Sequence, residues 1–368
     1  MQKKQCEKIA VVIGTRPEGI KLLPLVKAMR GRALSPLVIL SGQHADLLSG
    51  VLDAFGERAD IALPPMHFGE DLPAMLSHLL SIFGGVFREV RPETVIVQGD
   101  TATAYAAALS AFLLRIPILH VEAGLRSKDA FSPFPEESFR RSIASMALFH
   151  IAPTPAAMEH LLSEGVPRKR IFLLGNTVED AVHMLLEKKP KAGKTILFTL
   201  HRREHSEVKM REIYSAVRML SERFPTYSIL YPVHPSPRVR RIAAFALAGA
   251  QSISLVPPMG VKEFYGALAA APLVLTDSGG VQEEAAILGI PTLVLRDNTE
   301  RESELLAGDI LLGGTEPSRI LALASELLLH PKKKAKESRH GSPSERICNV
   351  LLAFKAGDFD MPPLFQEF

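Results

Sequence analysis

The segment Leu273–Leu295 constrains the fold of this chain more than any other stretch. Its sequence, LVLTDSGGVQEEAAILGIPTLVL, has apolar ends around a short amphipathic middle. This pattern predicts a strand, a helix and a second strand, and such a unit requires a parallel sheet with helices on its faces. The turn Asp277–Gly280 joins strand to helix, where backbone N–H groups and the helix dipole attract anions. An ordinary glycine corner and a diphosphate site explain this turn, taken alone, about equally well.

The composition is typical of a globular protein with two domains. The chain has 368 residues, of which 47% are hydrophobic and 23% are charged. No run approaches the roughly 18 apolar residues of a membrane helix, and no signal segment opens the chain. The two cysteines, Cys6 and Cys348, suggest neither a disulfide framework nor a zinc site. We therefore expect a cytoplasmic protein with no membrane partner and no metal.

The charge pattern favours small anions over nucleic acid as ligands. The formal net charge is +3, and the one basic run, PKKKAK at residues 331–336, has no interleaved aromatic residues. Binding of single-stranded nucleic acid usually needs such aromatic side chains for base stacking. We therefore expect no nucleic-acid partner.

The first predicted strand, Ile9–Ile13, leads into GTRPE at residues 14–18 and then a helix. This corner lacks the second and third glycines of the G-x-G-x-x-G dinucleotide fingerprint. Arg16 and Lys21 instead predict capture of an anion by side chains, with about 1.5–3 kcal/mol for each charge-assisted hydrogen bond. A surface loop with incidental charges is the alternative.

Three acidic residues in the first half point to acid–base chemistry. Asp100 and Glu122 follow predicted strands, and Glu136 follows a proline-rich loop at the start of a helix. Each alone could serve as a helix cap or compensate a helix dipole. Because the carboxyl ends of parallel strands meet at one edge of a sheet, the three together predict general acid–base groups.

A second series of strands and helices follows the polar segment Lys188–Lys194, which we interpret as an interdomain linker. Its first strand, Thr195–Leu200, ends at His201, which can be a ligand, an acid–base group or a loop residue. Arg202 follows and makes anion binding plausible. Phe264, on a later predicted helix, can stack on a base or belong to the core.

Nine motifs in this chain resemble those of the non-hydrolysing UDP-N-acetylglucosamine 2-epimerases, in order and with similar spacing. They are GTRPEGIK (14–21), GDT (99–101), HVEAGLRS (120–127), SPFPEE (132–137), GNTVEDA (175–181), HRRE (201–204), YPVHP (231–235), LTDSGGVQEEA (275–285) and LRDNTER (295–301). The resemblance implies an α/β fold of two Rossmann-like domains with parallel sheets in the glycosyltransferase-B arrangement, with the active site in the interdomain cleft.

The expected domains follow from this resemblance. Residues 1–188 form an N-terminal domain that carries the acid–base carboxylates, and residues 189–343 form a UDP-binding domain. Residues 344–368 form a C-terminal helix and tail that pack back on the N-terminal domain. The resemblance also implies a homodimer.

The implied reaction is reversible C2 epimerisation of UDP-N-acetylglucosamine to UDP-N-acetylmannosamine without a nicotinamide cofactor. C2 of the sugar is not next to a carbonyl, so simple proton abstraction is prohibitive. Expulsion of UDP from C1, with loss of the C2 proton, gives a 2-acetamidoglucal intermediate to which UDP then adds again. This route needs carboxylates near C2, cations on the diphosphate and a closed cleft.

The resemblance also assigns roles to individual residues. Asp100, Glu122 and Glu136 form the acid–base set, without deciding which takes the proton, and His201 lies at the leaving group. The substrate-binding positions are Arg16, Lys21, Ser278, Gly279 and Gly280 at the diphosphate, Glu284 at the ribose, Phe264 at the uracil, Arg202 and His234 near the nucleotide, and Arg140 and Arg301 at further matching positions.

Some positions depart from the family pattern. His205 stands where the family has Asn or Ser. Some bacterial members bind a second UDP-N-acetylglucosamine as an activator; Gln43 and His44 match that site, but Asp46 and Gly69 replace the expected Gln and Arg. We therefore predict weak or absent activation by the substrate.

Three alternative functions stay open from the sequence. A hydrolysing epimerase would release free N-acetylmannosamine. An epimerase of UDP-diacetamido-glucuronate would tend to carry Trp where this chain has Arg301. A catalytically silent UDP-sugar-binding protein would bind UDP without exchanging the C2 hydrogen.

Overall fold

The computed structural model describes the chain over residues 8–32, 34–43, 45–64, 71–127, 129, 131–186, 190–201, 205–297, 310–330 and 341–359. Backbone contacts divide it into two compact units. Unit 1 contains residues 1–184 and 338–368, and unit 2 contains residues 185–337. Each unit has its own parallel sheet.

The described elements alternate between strand and helix along most of the chain. The strands are β1 (Lys8–Ile13), β2 (Ser35–Leu40), β3 (Ile61–Ala62), β4 (Thr94–Gln98), β5 (Ile118–Val121), β6 (Phe149–Ala152), β7 (Ile171–Leu173), β8 (Thr195–Thr199), β9 (Ser228–Pro232), β10 (Ile253–Val256), β11 (Val274–Thr276), β12 (Thr292–Val294) and β13 (Ile310–Leu312). The helices are α1 (Arg16–Gly31), α2 (Ala45–Phe55), α3 (Leu72–Val90), α4 (Ala102–Leu113), α5 (Glu136–Met146), α6 (Pro155–Ser163), α7 (Val178–Leu185), α8 (Glu207–Arg223), α9 (Pro237–Ala246), α10 (Val261–Ala270), α11 (Gly279–Leu288), α12 (Pro317–Leu329) and α13 (Pro343–Ala356).

The strand order gives each sheet a point at which the direction of winding reverses. Unit 1 has the order β3-β2-β1-β4-β5-β6-β7, and unit 2 has the order β10-β9-β8-β11-β12-β13. The reversal lies between β1 and β4 in unit 1 and between β8 and β11 in unit 2. Open α/β sheets bind ligands at the carboxyl ends of the strands beside such a point. The predicted α/β fold with two Rossmann-like parallel sheets is confirmed.

Both sheets are covered by helices, which explains why their strands are continuous apolar runs. Every residue of β4 is buried. In unit 1, Phe83 and Phe87 of α3 stack with ring centroids 5.6 Å apart within the core. In unit 2, the core centres on Phe198, Tyr214 and Tyr231. Burying each large apolar side chain contributes about 1.5–3 kcal/mol, so these layers fix the strand ends that carry the polar residues.

Helix α13 packs on unit 1 although it follows unit 2 in the sequence. The backbone N–H of Ser344 donates to Asp180 Oδ2 at 2.8 Å. Arg32 of α1 pairs with Glu345 at 2.6 Å and donates to Asn349 Oδ1 at 2.6 Å. These contacts seat the helix against α1 and the start of α7.

Some elements differ from the sequence-based expectations. Helices α8 and α9 and the three-residue strand β13 were not predicted. The considered role of Asp100 as cap of α4 is wrong, because Thr101 is the N-cap and accepts the N–H of Ala104 at 3.0 Å. Within the described residues, no helix is both long enough and apolar enough to span a bilayer.

Candidate active site

In unit 1, two of the predicted acid–base residues, Asp100 and Glu122, lie on the loops that follow β4 and β5. Glu122 follows β5 directly and has φ of 62°, an unusual value for a residue with a side chain. Its Oε2 accepts a hydrogen bond from Lys21 Nζ at 2.6 Å and another from Gln98 Nε2. Lys21 and Glu122 are both buried, so the opposite charges compensate each other away from water.

Asp100 and Arg140, predicted respectively as a catalytic and a binding residue, form an ion pair. The guanidinium Nη2 of Arg140 lies 2.5 Å from Asp100 Oδ2. Its Nη1 also donates to Glu137 Oε2 at 3.2 Å. Glu137 is fully buried and accepts further bonds from Ser127 N and from Arg141 Nε at 2.9 Å. The first turn of α5 is thereby held against the loop that carries Asp100.

The neighbouring residue, Glu136, is half-buried at the first position of α5. It projects from the same short segment as Glu137, so α5 places a third carboxylate in the region where β4 and β5 end. Acidic side chains in the first turn of a helix are also stabilised by its dipole.

Glu18 joins two loops of unit 1 and was not predicted from the sequence. Its Oε2 accepts the N–H groups of Gly14 at 3.0 Å and Thr15 at 2.6 Å, and its Oε1 accepts the hydroxyl of Thr101 at 2.7 Å. The corner after β1 is thus tied to the residue next to Asp100. Burial of the carboxyl group raises the pKa of Glu18 to about 7, although its hydrogen bonds act in the opposite direction.

A buried histidine, His120, contacts the loop that carries Asp100. His120 of β5 has its Nε2 atom 2.8 Å from the carbonyl oxygen of Gly99, which precedes Asp100. Burial lowers the pKa of His120 to about 4, so the ring is neutral at physiological pH and Nε2 donates this bond.

Arg16 and Lys21, predicted as diphosphate ligands, lie in different environments. Arg16 opens α1 and is half-buried, whereas only 6% of the Lys21 side chain is exposed. The Lys21 ammonium thus pairs with Glu122. The expected contact between Lys21 and the diphosphate stays a prediction.

In unit 2, His201 and Asp277 meet at the reversal point between β8 and β11. The backbone N–H of His201 donates to Asp277 Oδ2 at 2.9 Å, and His201 Nδ1 lies 3.0 Å from Asp277 Oδ1. Asp277 is fully buried, whereas 39% of the His201 side chain is exposed. His234 is exposed, and its ring stacks with that of His201 at a centroid distance of 5.9 Å.

The turn at the start of α11 has the features of an anion site. Ser278 is the N-cap, and Gly279 and Gly280 are the first helical residues. The N–H groups of a first helical turn have no partner within the helix and attract anions together with the dipole. The predicted diphosphate corner is therefore built as the sequence suggested, and its ligand stays a prediction.

Glu284 and Phe264, predicted at the ribose and the uracil, occupy neighbouring helices. Glu284 of α11 is buried and accepts the hydroxyl of Tyr265 at 2.8 Å. Phe264 of α10 is half-buried, whereas Tyr265 is fully buried. Of the two aromatic residues, Tyr265 thus belongs to the core and Phe264 has the partly open ring that stacking would need.

Some predicted residues lie outside the described residues. These are Arg202 and Arg301, and, at the predicted activator positions, His44, Gly69 and the side chain of Asp46. Gln43 is described, and its Oε1 accepts the hydroxyl of Thr103 at 2.8 Å. In the described part of the chain, no group of three or more His, Cys, Asp and Glu side chains is arranged to hold a metal ion.

Comparison with known proteins identifies the family. The family model of UDP-N-acetylglucosamine 2-epimerase matches residues 27–352. The UDP-N-acetylglucosamine 2-epimerase of Bacillus subtilis is 38% identical, over 94% of this chain and 95% of the relative. The chain belongs to the UDP-N-acetylglucosamine 2-epimerase family. The resemblance inferred from the nine motifs is confirmed.

Solved structures of other epimerases support the same assignment. The Neisseria meningitidis UDP-GlcNAc 2-epimerase bound to UDP-GlcNAc is 34% identical, with a TM-score of 0.88 over 94% of this chain and 99% of the other. The Methanocaldococcus jannaschii UDP-GlcNAc 2-epimerase in complex with UDP-GlcNAc and UDP is 32% identical, with a TM-score of 0.85 over 94% of this chain and 99% of the other. Membership of the epimerase family makes this chain an isomerase.

Sequence reasoning missed several residues that contact the candidate site. Asp277, Glu18, Gln98 and His120 each bond to a predicted residue or to the loop that carries one. Asp277 and Glu18 stand inside the quoted motifs LTDSGGVQEEA and GTRPEGIK, but their partners are far away in sequence. For Asp277 and Gln98, a polar residue at a strand end next to a glycine corner was the available signal.

Proposed function

We propose that this chain catalyses the reversible C2 epimerisation of UDP-N-acetylglucosamine to UDP-N-acetylmannosamine. Its family membership and the relatives whose structures hold UDP-GlcNAc support this substrate. The observation that carries the proposal is the cluster of charged residues at the reversal point of unit 1, where Glu122 pairs with Lys21 and Asp100 pairs with Arg140.

The proposed route is elimination followed by re-addition. A base removes the C2 proton, the C2–H electron pair forms the C1=C2 bond, and the C1–O bond breaks with its electron pair on the UDP oxygen. The product pair is 2-acetamidoglucal and UDP. UDP then attacks C1 while a proton arrives at the other face of C2, so no electrons are gained or lost overall.

Unit 1 supplies the acid–base groups in this proposal. Glu122 lies beside the Lys21 ammonium and Asp100 beside the Arg140 guanidinium, and both are candidates for the group that takes the C2 proton. Glu136 is the third candidate, at the start of α5. Two faces of C2 require two groups, one to take a proton and one to return it.

Unit 2 supplies the groups for UDP. The start of α11, with Ser278, Gly279 and Gly280, would bind the diphosphate, and Glu284 would accept the ribose hydroxyls. His201 would donate a hydrogen bond to the departing oxygen. Arg16, at the start of α1 in unit 1, would be a further cation for the diphosphate.

A proton NMR experiment in deuterium oxide tests the proposal. Incubation with UDP-N-acetylglucosamine should give UDP-N-acetylmannosamine, with deuterium at C2 of both sugars and no accumulation of free N-acetylmannosamine. Asp100→Asn should abolish exchange, whereas Glu159→Gln, the same change at an exposed position of α6, should not. Epimerisation with retention of the C2 hydrogen would contradict the elimination route.

Two further expectations stay predictions, the homodimer and the cytoplasmic setting. Light scattering at micromolar concentration tests the first, since a homodimer of this 40.2 kDa chain should scatter as about 80 kDa. Fractionation of cells that produce the protein tests the second.

A further inference from the structure

We propose that Glu18 is a positioning residue that fixes Asp100 through the hydroxyl of Thr101. This inference rests on the proposed function and deepens it, because it explains how a candidate acid–base group is held. It begins from the two oxygens of the Glu18 side chain. Oε2 accepts the backbone N–H groups of Gly14 at 3.0 Å and Thr15 at 2.6 Å, and Oε1 accepts the hydroxyl of Thr101 at 2.7 Å.

The contacts of Glu18 go beyond those of an ordinary helix cap. In a capping box, a Glu three residues after a Ser or Thr N-cap accepts the N–H of that N-cap residue. Glu18 makes this bond to Thr15, the N-cap of α1, but its other oxygen bonds to Thr101, which is 83 residues away in the sequence. Only 1% of Glu18 is exposed, so few water molecules can replace Thr101 as its partner. A residue that only capped α1 would need neither the burial nor the second bond.

Both sequence neighbours of Asp100 are held by buried side chains. On one side, Nε2 of His120 donates to the carbonyl oxygen of Gly99 at 2.8 Å. On the other side, Thr101 donates to Glu18 and is the N-cap of α4. The backbone of Asp100 therefore cannot shift without straining a bond of one neighbour, while 22% of its side chain is exposed and available to a substrate.

The corner after β1 and the start of α4 are also in close contact. A Cβ atom at Gly14 would lie 2.2 Å from the hydroxyl oxygen of Thr103, so this corner requires a glycine. The Thr103 hydroxyl is in turn 2.9 Å from that of Ser41, which follows β2. Because β1 and β4 are neighbours in the sheet, Glu18 bridges the two strand ends beside the reversal point.

This location suits a residue that sets the geometry of proton transfer. A displacement of about 1 Å in a group that acts on the substrate can lower the rate by about 100-fold. The corner held by Oε2 also leads into Arg16, the further cation expected at the diphosphate. One side chain thus joins a segment expected at UDP to a loop expected at C2. A carboxylate accepts from a hydroxyl and a protonated carboxyl group can donate to it, so the bond to Thr101 persists on both sides of the Glu18 pKa of about 7.

Amide hydrogen exchange measured by NMR tests these contacts without any variant. The N–H groups that open a helix have no acceptor within it and exchange rapidly unless another group binds them. The amides of Gly14 and Thr15 should exchange at least about 100-fold more slowly than in an unfolded peptide. Rates within about threefold of the unfolded peptide would overturn the proposal.

Kinetics of Thr101 variants test the consequence. Thr101→Val removes the hydroxyl with little change of shape, so the kcat of epimerisation should fall by about tenfold to 100-fold while KM changes by less than about threefold. Thr101→Ser keeps the hydroxyl and should retain at least about one third of kcat. An unchanged kcat in Thr101→Val, or an equal fall in Thr101→Ser, would overturn the positioning role.

Thr154→Val is the matched control for the loss of a helix cap. Thr154 is the N-cap of α6 and accepts the N–H of Ala157 at 3.2 Å. The same change at this position removes a cap without touching Glu18 and should leave kcat unchanged. A fall in kcat equal to that of Thr101→Val would mean that cap loss alone explains the effect, which would overturn the proposal.

Glu18 variants test the link from its other end. Glu18→Gln can keep the hydrogen bonds and should retain at least about one third of kcat, whereas Glu18→Ala should lower kcat at least as much as Thr101→Val. In the Glu18→Ala background, Thr101→Val should cause less than about a threefold further fall, because both changes break the same bond. Multiplication of the two falls would overturn the proposal, and the Thr101 comparison decides the question if Glu18→Ala does not fold. If the amides of Gly14 and Thr15 are protected but the unaltered protein exchanges no deuterium at C2 of UDP-N-acetylglucosamine, the proposed function fails while the contacts stand.

Discussion

Replacing Glu18 by glutamine should stabilise the protein at alkaline pH and have little effect near pH 5. Burial raises the pKa of Glu18 to about 7, whereas the ordinary value is 4.5. Between these values the folded protein keeps the proton that the unfolded chain releases. The free energy of unfolding therefore falls as pH rises through this range. The difference in pKa corresponds to about 3 kcal/mol, which is fully lost above about pH 8.

Glutamine can keep the hydrogen bonds while removing the charge. Its amide oxygen can accept the N–H groups of Gly14 and Thr15, and its NH2 can face Thr101, whose hydroxyl can rotate to accept. We therefore expect Glu18→Gln to be more stable than the unaltered protein by about 3 kcal/mol at pH 8 and by less than about 1 kcal/mol at pH 5.

Urea unfolding between pH 5 and pH 8 measures this difference. The chain has no tryptophan, so far-UV circular dichroism is a suitable signal. Glu159→Gln, an exposed carboxylate on α6, is the matched control and should follow the unaltered protein at each pH. A Glu18→Gln variant with the same pH dependence as the unaltered protein, or with lower stability at pH 8, would refute the reasoning.

Four other predictions concern the buried charges, the bound nucleotide and activation by the substrate. Burial lowers the pKa of His150 to about 3, so stability is lost as pH falls below 6.5; His150→Leu should reduce this loss by about 3 kcal/mol, measured as the difference between urea unfolding at pH 7 and at pH 4. Lys21→Met should lower the free energy of unfolding by about 3–5 kcal/mol, since it leaves Glu122 buried without its cation, and should abolish C2 exchange. Tyr265→Phe should weaken UDP binding severalfold in calorimetry, because Glu284 loses a hydrogen bond that orients it. The initial rate with UDP-N-acetylmannosamine alone should be hyperbolic, as expected for weak or absent activation.

Each of these predictions has a matched control or a contradicting result. Lys191→Met, at an exposed position, should change neither stability nor exchange. An acid unfolding curve of His150→Leu parallel to that of the unaltered protein would contradict the histidine prediction. Unchanged UDP affinity in Tyr265→Phe would mean that Glu284 does not contact the nucleotide. An absolute requirement for added UDP-N-acetylglucosamine would contradict the activation prediction.

The sequence by itself determined the parallel α/β class, most strand ends and the family. These features depend on local patterns. Apolar runs mark strands that are buried on both faces, and glycine or proline marks the corners that follow them. The first strands of the two units, predicted at Ile9–Ile13 and Thr195–Leu200, are observed at Lys8–Ile13 and Thr195–Thr199. The short strand β13 was missed, because three residues carry too little periodicity to stand out.

Only the tertiary structure decided which polar residues meet. Lys21 and Glu122 are 101 residues apart, and His201 and Asp277 are 76 residues apart. Their contacts depend on the order of strands in each sheet, which places β1 beside β4 and β8 beside β11. Strand order results from packing the whole sheet between its helices, so no local pattern reveals that the lysine expected at a phosphate is paired with a carboxylate.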